Sequence, residues 1–132
     1  MEVEMTRRRY DNCSTEFGLW LRDQPEIDSS LGFVATNIDY VWLNYETRKW
    51  MLIEEKRYAR RMTYAQRGAF KTVDVIAKSD ENYMGFHFLM FERTSPEDGW
   101  TILDDNFLID RQDLIEFLRF EKPEEWYIGI RL

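Results

Sequence analysis

Three charged residues in the first half of the chain have the types and spacing to bind a metal ion and act on water. Asp39 precedes one apolar stretch, while Glu54 and Lys56 end another. In a β-strand, side chains two residues apart point to the same face, so Glu54 and Lys56 share a face with Leu52 while Glu55 points away. The adjacent glutamates therefore cannot act as a carboxylate pair, and the partner of Glu54 must come from another strand.

A predicted hairpin supplies that partner. The two strands flank the polar stretch 46–49, which reads as the hairpin loop. If all four residues form the loop, Asp39 lies opposite Lys56; if only the first two do, Asp39 lies opposite Glu54. Both registers gather the three side chains on one face. Two carboxylates at strand ends can hold a hard divalent ion such as Mg²⁺ or Mn²⁺, and a neighbouring lysine can position or deprotonate a water that attacks a phosphodiester.

Periodicity and turn signals predict the elements that position these residues. Helices are expected at 14–22, 63–78 and 111–120, and strands at 38–45, 50–58, 84–92, 100–104 and, from its alternating apolar residues, 126–132. Ser14 can cap the first helix, and Thr63 and Gln66 have capping-box spacing at the start of the second. The prediction is a single α/β domain, residues 1–132, with a central mixed sheet flanked by helices and a mobile basic arm at 1–12.

Several classes of protein are excluded by what the sequence contains. The chain has 132 residues and one cysteine, so an internal disulfide and a cysteine-cluster zinc site are excluded. The single histidine, His87, lies in a strongly apolar stretch, where we expect a packed residue rather than a catalyst. No apolar run is long enough for a membrane helix, and the start has no apolar signal region. We therefore expect a cytoplasmic protein.

The net charge of −7 is unevenly distributed. Residues 1–72 are nearly balanced, whereas residues 73–132 are strongly acidic. A basic cluster follows the hairpin and can contact nucleic-acid phosphates even on an acidic protein. Its members are Arg57, Arg60, Arg61, Arg67 and Lys71.

The motif resembles that of the PD-(D/E)XK nuclease superfamily. The resemblance is carried by Asp39 in IDYVW, by Glu54 and Lys56 in IEEK, and by Gln66 at the head of the following helix. It covers about residues 14–92, with an isoleucine where the motif name has proline. It implies a restriction-endonuclease-like core, in which a helix, three to four strands, a helix and a strand follow one another.

The resemblance also implies roles for individual residues. Asp39 and Glu54 would bind Mg²⁺ or Mn²⁺, and Lys56 would act on the attacking water. Glu16 in the N-terminal helix could be a further metal ligand, and Gln66 could support the site. The function so implied is metal-dependent cleavage of DNA, selective for structure rather than sequence, as in compact Holliday junction resolvase-like or phage-type nucleases.

Other interpretations stay open beside this one. The hairpin charges could form a solvated salt-bridge ladder, which contributes only ~0–1 kcal/mol. Gln66 could serve only its capping box, and Glu16 only the helix dipole. The fold could be a non-catalytic interaction module, or a protein-binding factor that uses its acidic half. A homodimer is also possible, with the apolar face of the predicted strand 126–132 as its interface.

Overall fold

The computed structural model describes residues 15–132. The chain divides into two compact units, one ending at Thr36 and the other running from Asn37 to Leu132. The predicted basic arm and the predicted cap Ser14 lie outside the described residues. Within residues 15–132, no helix is long and apolar enough to cross a membrane.

In the described residues of the first unit, 15–36, a short helix, α1, lies at Glu16–Asp23. Thr15 caps it, because its side-chain oxygen accepts a hydrogen bond from the N–H of Gly18 at 3.1 Å. Two 3-10 turns follow, at Pro25–Ile27 and Ser29–Leu31.

The second unit is built on a five-stranded mixed sheet. Its elements are β1 (Tyr40–Leu43), β2 (Trp50–Lys56), α2 (Tyr64–Ala77), β3 (Tyr83–Phe91), β4 (Thr101–Leu103), β5 (Phe107–Ile109), α3 (Arg111–Leu118) and a 3-10 turn at Glu124–Tyr127. The strand order follows the chain, with β2 and β3 parallel and the other neighbours antiparallel. The predicted α/β class with a central mixed sheet is confirmed.

Helix α2 makes the parallel pairing possible, because parallel neighbours need a long crossover connection. The predicted capping box begins this helix. The N–H of Gln66 donates to the Thr63 hydroxyl at 3.1 Å, and the Thr63 N–H donates to the Gln66 side-chain oxygen at 3.0 Å. Each side chain accepts a hydrogen bond from the backbone N–H of the other residue. This reciprocal pair fixes the start of α2 just after the loop that follows β2.

The sheet has a hydrophobic core on each face. Leu52 packs with Phe70 of α2 on one face, whereas Met51 and Ile53 pack with the residues of α3 on the other. This alternation confirms the predicted phase of β2. Glu54 and Lys56 continue the face of Leu52, and Glu55 continues the opposite face.

The predicted C-terminal strand is wrong. Glu124–Tyr127 forms a 3-10 turn, and Gly129 has a left-handed backbone with φ of 94°. A Cβ at Gly129 would lie 2.7 Å from the carbonyl oxygen of Phe86, so the chain bends there against β3. Ile130 is buried while Ile128 is 75 % exposed, although strand alternation would place both on one face. The apolar stripe proposed as a dimer interface is therefore absent from the fold.

The hairpin of β4 and β5 was only half predicted. The turn signals predict a strand near 100–104 but not β5, which is only three residues long. The turn between them contains Asp104 and Asp105, both with left-handed backbone at φ 52° and 67°. Aspartate tolerates this conformation better than most residues.

Candidate active site

The β1–β2 hairpin places Asp39 directly opposite Glu54. Tyr40 pairs with Ile53 and Leu43 with Trp50, and one further step along this register joins the two acids. The register is therefore the second of the two that the sequence left open.

The turn of the hairpin explains this register. The side chain of Asn44 accepts hydrogen bonds from the N–H groups of Glu46 and Thr47 at 2.9 and 3.2 Å. Arg48 has a left-handed backbone with φ of 71°, and its N–H donates to the Asn44 carbonyl at 2.8 Å. Asn44 thus organises the turn through both its side chain and its backbone, as asparagine often does.

The two acids are linked through the backbone. The N–H of Asp39 donates to Oε1 of Glu54 at 3.3 Å, and the N–H of Glu55 donates to Oδ2 of Asp39 at 2.9 Å. Lys56 lies beside them, with its Nζ 3.9 Å from Oε2 of Glu54. That distance is too long for a hydrogen bond but short enough for electrostatic attraction. The three predicted residues are therefore brought together.

Glu54 is an acid in an unfavourable environment. It is 3 % exposed, so it is no part of a solvated ladder on the protein surface. Burial first, and then the charge of Asp39 and a hydrogen bond to its side chain, raise the pKa of Glu54 from 4.5 to about 7, against smaller opposing effects of the Asp39 N–H and of Lys56. A carboxyl with this pKa is half protonated near neutral pH.

Glu55 is separated from this cluster by the strand itself. It is half-buried, and the Tyr40 hydroxyl donates to its Oε1 at 3.4 Å. The charge of Glu55 is also the main cause that raises the pKa of Tyr40. Glu55 is therefore a suitable internal control for the function of Glu54.

The donor set of the cluster is compatible with a hard divalent cation. Mg²⁺ is commonly held by one or two carboxylates and several waters, and two carboxylates at close range gain from a cation between them. Residues 15–132 contain no group of three or more acidic, histidine or cysteine side chains arranged as a metal site. Glu16, the predicted third ligand, lies in α1 of the first unit, and its role stays a prediction.

Gln66 is committed to its capping box, since its side-chain oxygen accepts the Thr63 N–H. The structural role is therefore established, and the supporting role at the site stays a prediction. His87 is fully buried, as expected. Its Nδ1 lies 2.8 Å from Asp104 and its Nε2 lies 2.7 Å from the carbonyl of Met84, so it joins β3 to the β4–β5 turn.

The loop after β2 carries the first of the predicted basic residues. Tyr58 and Ala59 both have left-handed backbone, and their N–H groups donate to the carbonyls of Arg93 and Phe91 at 2.8 Å. These bonds hold the loop against the end of β3. The exposed cations of the loop and of α2 are Arg57, Arg60, Arg61 and Lys71.

Arg67 differs from the other basic residues because it is engaged inside the protein. Its guanidinium donates to Oδ2 of Asp105 at 3.0 Å and to the carbonyl of Arg131 at 2.9 Å. Asp105 is not among the residues that the sequence predicts for the site. The Asp-Asp-Asn stretch between two apolar segments is a turn signal that could have located it.

No known protein family, curated protein or solved structure matches the chain.

Proposed function

We propose that the protein is a metal-dependent nuclease that hydrolyses DNA phosphodiesters at Asp39, Glu54 and Lys56. The observation that carries the proposal is the buried carboxyl of Glu54, which lies opposite Asp39 and 3.9 Å from the Lys56 ammonium. Burial of an acid beside another acid is unfavourable unless a cation joins them, so the cluster has the character of a functional site.

The order of elements supports the same proposal. A hairpin with the two acids is followed by a crossover helix and by a strand parallel to the second hairpin strand, as in the restriction-endonuclease-like core that the motif implies. One difference stands beside this agreement. Between α1 and α2 the described chain has two strands, β1 and β2, whereas the restriction-endonuclease-like core has three to four strands between its two helices.

The chemistry divides among the three residues. Asp39 and Glu54 would hold Mg²⁺ or Mn²⁺, which supplies positive charge that stabilises the phosphodiester as it is attacked. Lys56 is half-buried beside Glu54, where its ammonium can orient the attacking water by donating a hydrogen bond and stabilise the negative charge that develops, while the proton of the water passes to solvent. The exposed cations of the loop after β2 would contact backbone phosphates without reading sequence. A structure-selective substrate such as branched or nicked DNA follows from this reasoning.

Cleavage of labelled branched, nicked and single-stranded DNA in Mn²⁺ tests the proposal. We expect Lys56→Ala to lower the cleavage rate by about 100-fold or more, because one positioned hydrogen-bond donor that stabilises developing charge contributes roughly 10²–10³. Glu55→Ala is the matched control, since it removes the neighbouring acid on the opposite face, and it should keep most activity. An inactive Glu55→Ala beside an active Lys56→Ala would overturn the assignment.

A non-catalytic interaction module is the second candidate. It is favoured by the engagement of Gln66 and Arg67 in the fold, since neither side chain is free for a substrate. Calorimetric titration of Mn²⁺ separates the two candidates. The nuclease should bind Mn²⁺ and lose that binding in Asp39→Asn, whereas equal binding by both proteins would contradict the metal site.

A further inference from the structure

A carboxylate lies between two of the arginines that were predicted to bind phosphate. Oδ2 of Asp105 is 3.0 Å from the Arg67 guanidinium, and Oδ1 is 3.8 Å from that of Arg61. Two guanidinium groups around one anion are the arrangement that binds a phosphate group. Here the protein's own carboxylate takes the place of the anion.

The position of Asp105 is fixed by its neighbour. Asp104 is buried, and its carboxylate accepts hydrogen bonds from the Phe88 N–H and lies 2.8 Å from His87 Nδ1. The β4–β5 turn is thereby anchored to β3. Asp105 cannot move far from the arginines without breaking that anchor.

The two arginines are held unequally. Arg67 makes two hydrogen bonds, to Asp105 and to the carbonyl of Arg131, and its side chain is 27 % exposed. Arg61 is 70 % exposed and lies beyond hydrogen-bond distance of Asp105. The Oδ1 atom that faces it is shielded from water and has no hydrogen bond within the described part of the chain. Arg61 is therefore attracted by the carboxylate but not fixed by it.

We propose that Asp105 competes with nucleic-acid phosphate for Arg61 and so limits how strongly this surface binds DNA. The inference rests on the proposed function for its ligand, DNA, but not on the cleavage step. A phosphate group carries the same sign of charge as the carboxylate and would replace its attraction for Arg61. With Asp105 in place, the cluster of Arg61, Arg67 and Asp105 offers one net positive charge instead of two.

Binding of a fluorescent DNA duplex in EDTA, over a salt series, tests the proposal without any metal or cleavage. We expect Asp105→Asn to bind more tightly than wild type and to have a steeper salt dependence. For each phosphate contact that the variant gains, the ratio of its association constant to that of wild type should fall by about 3–4-fold when salt rises from about 50 to about 200 mM. Asparagine is close in shape to aspartate and tolerates a left-handed backbone, so the variant should fold.

Glu97→Gln is the matched control. It removes one exposed negative charge from the β3–β4 loop, where the backbone N–H of Glu97 donates to the Ser95 hydroxyl and its side chain contacts no arginine within residues 15–132. A general change in net charge would strengthen binding equally in Glu97→Gln and Asp105→Asn. That equality, or weaker binding by a folded Asp105→Asn, would overturn the competition.

A second comparison isolates Arg61. Arg61→Gln should weaken binding little in wild type and several-fold more in the Asp105→Asn background, because only there is Arg61 released to phosphate. Equal losses in both backgrounds would refute the inference, as would failure of every variant to bind DNA. Because these measurements need no metal, a failed cleavage assay at Asp39 and Glu54 would leave them intact, and the two proposals fail independently.

Discussion

Replacing Glu54 with glutamine should change how the stability of the protein depends on pH. Burial and the neighbouring charge of Asp39 raise the pKa of Glu54 from 4.5 to about 7 in the folded protein. One pKa unit corresponds to about 1.4 kcal/mol, so folding with this carboxyl ionised costs on the order of 3 kcal/mol. Glutamine has nearly the same shape and carries no charge.

The direction of the effect follows from proton binding. The folded state has the higher pKa, so it binds the proton of Glu54 more tightly than the unfolded state does. The cost is small below the unfolded pKa of 4.5, grows as pH rises toward about 7, and is fully present above that. The contribution of this group therefore lowers the free energy of unfolding by about 2–3 kcal/mol between about pH 5 and about pH 8.

Urea unfolding followed by tryptophan fluorescence, in EDTA and across this pH range, measures the effect. Relative to wild type, Glu54→Gln should gain stability steadily as pH rises and should be the more stable protein at about pH 8. Glu55→Gln is the control, because it removes the neighbouring carboxyl on the other face of β2. Curves for wild type and Glu54→Gln that run parallel across the range would refute the reasoning.

The same samples with saturating Mn²⁺ connect stability to the proposed function. A cation that binds the ionised carboxyl must displace its proton, so wild type should be stabilised more at about pH 8 than at about pH 6. The difference in apparent affinity should be about tenfold across this interval for a pKa of about 7. Glu54→Gln should lose most of the stabilisation by Mn²⁺. Equal stabilisation of wild type and Glu54→Gln would show that Mn²⁺ does not bind at Glu54.

Two further predictions concern the fold. Gly68→Ala should stabilise the protein by about 0.5–1 kcal/mol, because this position in α2 has open space for a Cβ. Gly85→Ala should destabilise it by at least ~2 kcal/mol, because the backbone φ of Gly85 is 97° and a Cβ there would lie 2.6 Å from the carbonyl oxygen of Tyr127. Thermal unfolding measures both changes, and equal shifts in the two variants would contradict the predicted clash at Gly85. His87→Phe should lower the free energy of unfolding by about 1–3 kcal/mol, because it leaves the buried Oδ2 of Asp104 without a hydrogen-bond partner. Unfolding of Asp104→Asn and of the double variant should reveal a coupling energy that independent sites would lack.

The phase of β2 and the start of α2 could be predicted because they depend on local patterns. Leu52 and Glu54 share a face through strand geometry alone, and Thr63 and Gln66 are three residues apart. The hairpin register was less certain, because it depends on how Asn44 organises the turn. That detail involves a left-handed residue at Arg48, a position that most turn rules assign to glycine or asparagine.

The remaining differences depend on contacts between distant parts of the chain. The alternation of Ile128 and Ile130 is typical of a strand, but Gly129 bends the chain against Phe86. Arg67 belongs to a basic cluster in the sequence, yet its partner Asp105 is 38 residues away. An ion pair of that kind leaves no spacing signal, so sequence reasoning treats the arginine as free.

The position of Glu54 distinguishes a metal site from a structural hairpin. Leu52 shows that an apolar side chain fits this face of β2, and the ammonium of Lys56 at 3.9 Å is too distant to satisfy the carboxylate by hydrogen bonding. A buried acid in such a place weakens the fold, since unpaired buried charge is costly. A divalent cation between Asp39 and Glu54 would remove the repulsion between the two carboxylates and displace the proton of Glu54. Relief of that repulsion would then contribute to the affinity for the metal. In an interaction module without metal, only the hydrogen bond from the Asp39 N–H and the attraction of Lys56 would offset that loss. Whether Mn²⁺ stabilises wild type, and whether Glu54→Gln loses that stabilisation, therefore bears directly on which of the two functions the hairpin serves.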